Sequence, residues 1–172
     1  MKTTTTTQLQ KLLDKRFGGL LASGSHEPDG AACALELLSQ ARGGDWSDKP
    51  SLVRCFDLRP LNDAFTSSLE RTKYVLPVAA AYDGSLDWPV ERQRKVIEQI
   101  IILTVQRVIS ELPSLPAKTR ADCRRANTLP EARTAAAEAA DAAEAAEARA
   151  ARYAALKTVC EIWMDAAQYE ES

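Results

Sequence analysis

The sequence contains a single histidine, His26, and four cysteines, Cys33, Cys55, Cys123 and Cys160, with no Cys-x-x-Cys pair among them. A zinc knuckle or a thioredoxin-type redox motif needs paired ligands or thiols at short spacing, and this spacing argues against both. The N-terminus passes from Met1-Lys2 into a run of threonines with no apolar stretch, which predicts no secretory signal, free thiols and a cytoplasmic setting in a bacterial host cell. The longest apolar run, Val96 to Leu112, contains Glu98, Gln99, Gln106, Arg107 and Glu111. Each is costly in hydrocarbon, so a buried helix is expected there and no membrane association. An excess of positive charge is also missing. The net charge of −2 disfavours a nucleic-acid partner, because displacing counterions from phosphate takes a surplus of Lys and Arg. Glycine is absent after Gly84 and proline after Pro130, so nothing in the C-terminal segment breaks a helix.

What is present reads as helix almost throughout. At 172 residues with 45% apolar composition, the chain is long enough to bury roughly 70% of its unfolded surface. Leu9, Leu12, Leu13 and Phe17 recur at helical spacing and Gly18-Gly19 ends that helix. Asp29 is a good N-cap for a second helix, about 31–42, stopped by Gly43-Gly44. Pro50 in a first turn opens a third, carrying Leu52, Val53 and Phe56, which Pro60 should kink or split near Asp57 to Arg59. Ser67-x-x-Glu70 is a capping box that opens a short fourth helix towards Tyr74, and Pro77 is expected to break the chain again. From about 89 to 112, apolar residues cover more than one face, so this helix should be surrounded, with Pro113 and Pro116 ending it. Lys118 to Asn127 reads as a polar connection.

Thr128-Leu129-Pro130-Glu131 then begins a helix expected to run from about 130 to 169. Alanine fills fifteen of the twenty-five positions from 131 to 155, and alanine is the best helix former. The acids Glu131, Glu138, Asp141, Glu144 and Glu147 have no basic residue four positions on, so they predict a solvated face with alanines packed on the central helix. A partner surface, including a homodimer through this alanine-rich helix, is the sharper reading. Leu156, Ile162 and Trp163 supply an apolar stripe that should dock the C-terminal end. The expectation is an all-α fold: a compact helical bundle around a central hydrophobic helix (about 89–112), with residues 1–128 as core and 129–172 as a long helix packed on the same single domain.

Three polar segments are the candidate ligand- or partner-binding residues: His26, Asp29, Cys33 and Glu36; Trp46 and Asp48; and Asn62 and Asp63. With a helix starting at Gly30, Cys33 and Glu36 would share a face just inside its N-terminus, where a thiol pKa falls and a Cys-His pair is conceivable. A mixed metal site would have to use His26 with Asp29, Cys33 or Glu36, without the usual paired spacing. No metal and no cofactor are expected. The bland alternative is a buried network joining Glu36, Asp48, Asn62 and Asp63, with Trp46 as a hydrophobic plug.

The ordered set Asp29-Gly30-x-x-Cys33-x-x-Glu36, then Gly43 or Gly44 with Trp46-Ser47-Asp48-x-Pro50, then Asn62-Asp63-Ala64, then Leu129-Pro130-Glu131 before an alanine-rich helix, resembles a family of uncharacterised actinobacterial and phage proteins. Pro60-Leu61 before Asn-Asp and the absence of tryptophan repeats in the tail depart from that pattern. The resemblance implies a helical fold and a phage or prophage setting, and it transfers no catalytic residues. Together these readings lead to a non-enzymatic binding protein of phage or mobile-element origin that acts on a host protein, an anti-CRISPR-like inhibitor of a bacterial defence system being one form. The alternative is a small-molecule or signalling-nucleotide binder using the 26–63 segments, with phosphate at the helix N-terminus near Gly30.

Overall fold

The computed structural model describes residues 4–24, 26–28, 30–47, 57–142 and 147–168, with side chains up to 140 and again from 155 in the last two helices. Its described elements are helices α1 (Thr6–Arg16), α2 (Ala34–Ala41), α3 (Arg59–Ala64), α4 (Ser68–Tyr82), α5 (Val90–Arg107), α6 (Ala117–Arg125), α7 (Leu129–Ala142) and α8 (Glu147–Ala167), with 3-10 turns at Ser85–Asp87 and Ile109–Glu111. No strand occurs among the described residues. The chain is all-α, as its periodicities predict.

Two compact units make up the chain, residues 1–89 and 90–172. In the first, α1, α2 and α4 pack on one another, with the short α3 against α2 and α4. Its core is Leu9, Leu13, Phe17, Leu21, Leu35, Leu37, Leu38, Phe65, Val75, Leu76 and Tyr82, all buried. Leu9, Leu13 and Phe17 are the inward stripe of α1. The Thr5 hydroxyl accepts from the Gln8 amide and the Gln8 side chain returns to the Thr5 amide, a complete capping box. Gly18 and Gly19, at φ +72° and +83°, let the Phe17 and Gly19 amides both donate to the Leu13 carbonyl, which ends the helix.

Helix α4 begins where the capping box places it, with the Ser67 hydroxyl accepting from the Glu70 amide. It does not stop at Pro77. The helix runs through that residue to Tyr82, because Val75, Leu76, Val78, Ala79, Ala80 and Tyr82 are buried on both sides of the proline. Their burial outweighs the one hydrogen bond and the local clash a proline costs. The predicted helix through Leu52, Val53 and Phe56 lies outside the described residues. Downstream of it, Pro60 falls in the first turn of α3, where a missing N–H is harmless.

In the second unit α5 packs against α6, α7 and α8. Val96, Ile102 and Val105 are its fully buried residues, whereas Val90 is 79% exposed and Ile97 39%, so the helix is not enclosed on all sides as its composition suggested. It ends at Arg107 rather than near 112, passing into the 3-10 turn before Pro113. Residues 117–125, expected as a connection, form α6. One apolar side chain, Cys123, is fully buried from it, too faint a stripe to read from the sequence.

Helix α7 opens where the sequence places it, at Leu129 with Pro130 in the first turn. The Glu131 carboxylate accepts from the Asn127 and Thr128 amides at 2.9 and 3.1 Å, and these amides hold it below the usual carboxylate range. Ala132, Ala135 and Ala139 of α7 are buried against Ile102, Val105, Leu115 and Cys123, the close alanine packing on the central helix that the sequence foretold. Residues 143–146, in the middle of the predicted continuous helix, and its predicted end at Tyr169 lie outside the described residues. The C-terminal part of α8 is docked, with Leu156, Cys160, Ile162 and Ala166 buried.

Candidate functional site

The polar segments meet around a loop, residues 18–33, whose described residues form no helix or strand. A buried backbone must find partners for its N–H and C=O groups, and here side chains from four other places supply them. The Leu21 amide donates to the Thr72 hydroxyl (2.8 Å) and its carbonyl accepts from Arg71 (3.0 Å). The Ala22 amide donates to the Ala32 carbonyl (2.9 Å), and the Ala22 carbonyl accepts from Asn62 Nδ2 (3.0 Å). The Gly24 amide donates to Asp63 Oδ1 at 2.8 Å. At His26 the amide donates to Glu36 Oε1 (2.7 Å) and the carbonyl accepts from Trp46 Nε1 (2.5 Å).

Glu36 is the centre of this arrangement. It is 1% exposed, and its second oxygen accepts from the Cys33 amide at 2.8 Å and lies 3.0 Å from His26 Nδ1. Helix α2 starts at Ala34 with Cys33 as its N-cap, not near residue 31. Glu36, the third residue of the helix, reaches back to the cap amide and so fixes the start there. Asn62 Oδ1 accepts from the Ala34 amide at 3.3 Å, so side chains of the chain itself occupy donors at this helix N-terminus. Asn62 Nδ2 also donates to Asp63 Oδ1, which makes the Asn-Asp pair one unit bridging two loop segments.

Of the eight residues singled out from the sequence, the structure brings six together. His26, Cys33, Glu36 and Trp46 form one side of the network, and Asn62 and Asp63 the other. Asp29 and Asp48 lie outside the described residues. Trp46 is a plug, its ring 5.4 Å from that of Phe17 and its N–H satisfied on the His26 carbonyl. Cys33 is buried, and burial pushes its thiol up to about 12. The thiol is therefore protonated at neutral pH, the opposite of the lowered value a nucleophilic cysteine at a helix N-terminus would have. Among the described residues no three His, Cys, Asp or Glu side chains are grouped as a metal site.

Two participants were not foreseen, Thr72, whose hydroxyl accepts from the Leu21 amide, and Arg71. Arg71 on α4 is 3% exposed, and its guanidinium donates to the Asn62 carbonyl (2.8 Å), the Leu21 carbonyl, the Ser68 hydroxyl and the Phe65 carbonyl. Desolvation lowers its pKa, partly offset by Asp63. An arginine in an amphipathic helix reads as solvated, and nothing in the local sequence marks this one as buried. Asp83 is likewise buried, accepting from Arg42 Nε and from the Thr4 amide, both at 2.7 Å.

In the second unit, a groove of about 440 Å³ between α6 and α7 is lined by Asp122, Arg125, Ala126, Pro130, Glu131, Thr134, Ala135 and Glu138. Asp122 is engaged with Lys118 and Arg125 and Glu131 caps α7. None of the sequence-selected residues lines it. No helix among the described residues is long and apolar enough to cross a membrane. Compared with known protein families, curated proteins and solved structures, the chain matches none.

Proposed function

We propose that the chain is a non-enzymatic binding protein of phage or mobile-element origin that acts on a host protein. An anti-CRISPR-like inhibitor of a bacterial defence system, working in the host cytoplasm, is one concrete form of it. The observation that carries the binding-protein reading is the use of the polar cluster. Glu36, Asn62, Asp63, Arg71 and Trp46 each make at least one hydrogen bond to the backbone of loop 18–33, and the Cys33 thiol is held protonated. Such a cluster fixes a shape, and a fixed shape lowers the ordering cost of binding a partner. The phage setting rests on the resemblance of the ordered motifs from Asp29 to Glu131.

The experiment is expression of the tagged full chain in an actinobacterial host, crosslinking, and mass spectrometry of what co-purifies, with native mass spectrometry of the protein alone alongside. One host protein recovered in stoichiometric amount, and bound again when purified separately, is the expected result. A stoichiometric small molecule with no protein partner would replace this reading with that of a small-molecule or signalling-nucleotide binder.

A further inference from the structure

One atom of the Glu36 cluster is not turned inward. His26 Nδ1 lies 3.0 Å from Glu36 Oε2, and a carboxylate oxygen can only accept, so Nδ1 carries the proton. In the neutral ring Nε2 is then the bare nitrogen, with its lone pair in the ring plane. Among the described residues no group hydrogen-bonds Nε2. The histidine side chain is 20% exposed while its carboxylate partner is 1% exposed. The backbone of the same residue is held at both ends, its amide by Glu36 and its carbonyl by Trp46. A surface imidazole is thus fixed in place, in tautomer and in orientation.

We propose that His26 Nε2 is a phosphoryl-acceptor site, modified by transfer from an activated phosphoryl donor. This goes beyond the binding-protein reading and does not depend on it. In the transfer the Nε2 lone pair forms the N–P bond while the bond from phosphorus to the leaving group breaks, and the leaving group departs with the bonding pair. The ring proton stays on Nδ1. The ring becomes cationic, and the charge is balanced by the Glu36 carboxylate, which the buried, preorganised site keeps in place without solvent reorganisation. The phosphoryl oxygens project on the solvated edge of the ring, the edge that can hydrate a dianion. Glu36 acts through His26 and is a positioning residue.

The test uses the full chain and potassium phosphoramidate as donor, read by intact mass and by ³¹P NMR. Wild type is expected to take one phosphoryl group per chain, on Nε2, about tenfold faster than N-acetylhistidinamide, the scale of an outer partner's effect on an imidazole. Glu36→Gln, which keeps a capping oxygen, should return the rate to that of the model amide, and His26→Gln should abolish the adduct. In unmodified wild type at pH 8 the ¹⁵N shifts of this one imidazole should show a protonated Nδ1 and a bare Nε2. A wild-type rate no faster than the model amide, an adduct on Nδ1, or a Glu36→Gln protein that is folded and as reactive as wild type would each overturn the proposal. If Glu36→Gln does not fold, the wild-type rate and the ¹⁵N tautomer decide it alone.

Discussion

Arg42 Nε donates to Asp83 Oδ1 at 2.7 Å across 41 residues of sequence, joining the C-cap of α2 to the C-cap of α4. The same carboxylate accepts from the Thr4 amide, so one buried acid ties the N-terminal segment to two helix ends. Gly84 follows at φ +83°, where an added Cβ would come within 3.1 Å of the Arg42 guanidinium.

Asp83→Ala is therefore expected to cost about 3 kcal/mol, because it leaves a largely buried guanidinium and a backbone amide without their acceptor. Arg42→Ala should cost less, since the remaining carboxylate keeps the Thr4 amide. Urea titration measures both; equal midpoints for Asp83→Ala and wild type would show that the pair contributes nothing net.

The alanine face of α7 gives a second prediction. Ala135 is buried against α5 and α6, and Ala137, two residues on, is exposed. Ala135→Leu should lower stability by about 1–3 kcal/mol through overpacking. Ala137→Leu should be nearly neutral, within about 0.5 kcal/mol. Similar melting temperatures for the two variants would mean that the packing of α7 is looser than the buried alanines indicate.

The cysteines make stability fall in alkali. Burial pushes Cys33 and Cys160 up to about 12 from an ordinary value of 9.0. The folded state holds these protons where the unfolded chain releases them, so their contribution is complete below about pH 9 and is lost as pH rises from there towards 12. Melting temperatures measured from pH 8 to 11 should fall more gently for Cys33→Ala with Cys160→Ala than for wild type. Parallel curves would remove the thiols as the cause.

Much of the helical framework was legible because it rests on local chemistry: the Leu9-Leu13-Phe17 stripe, the Gly18-Gly19 stop, the Ser67 cap and the Thr128-Glu131 start each declare themselves within a few residues. The structure departs from the sequence where distant packing decides, as at Pro77, and where a competing local cap does, as at Cys33. Pro77 stays inside α4 because of what its neighbours bury. Helix α2 starts three residues late because Glu36 reaches back to Cys33. The polar residues His26, Glu36, Asn62 and Asp63 stood out as too many for a simple loop, and they do converge. Arg71, which joins them from α4, looks like any surface arginine, since its three carbonyl partners, Leu21 in the loop, Asn62 in α3 and Phe65 at its C-cap, are positions that no periodicity connects.

The loop from Gly18 to Cys33 has a further consequence. Its amides at Leu21, Gly24, His26 and Cys33 donate to side chains, the farthest 51 residues away, and the Ala22 amide donates to the Ala32 carbonyl. Order in this part of the molecule is borrowed rather than local. A segment excised as a peptide would lose every side-chain anchor, and a lengthened or shortened loop would misalign them together, so this segment should tolerate insertions less well than the exposed turns between helices.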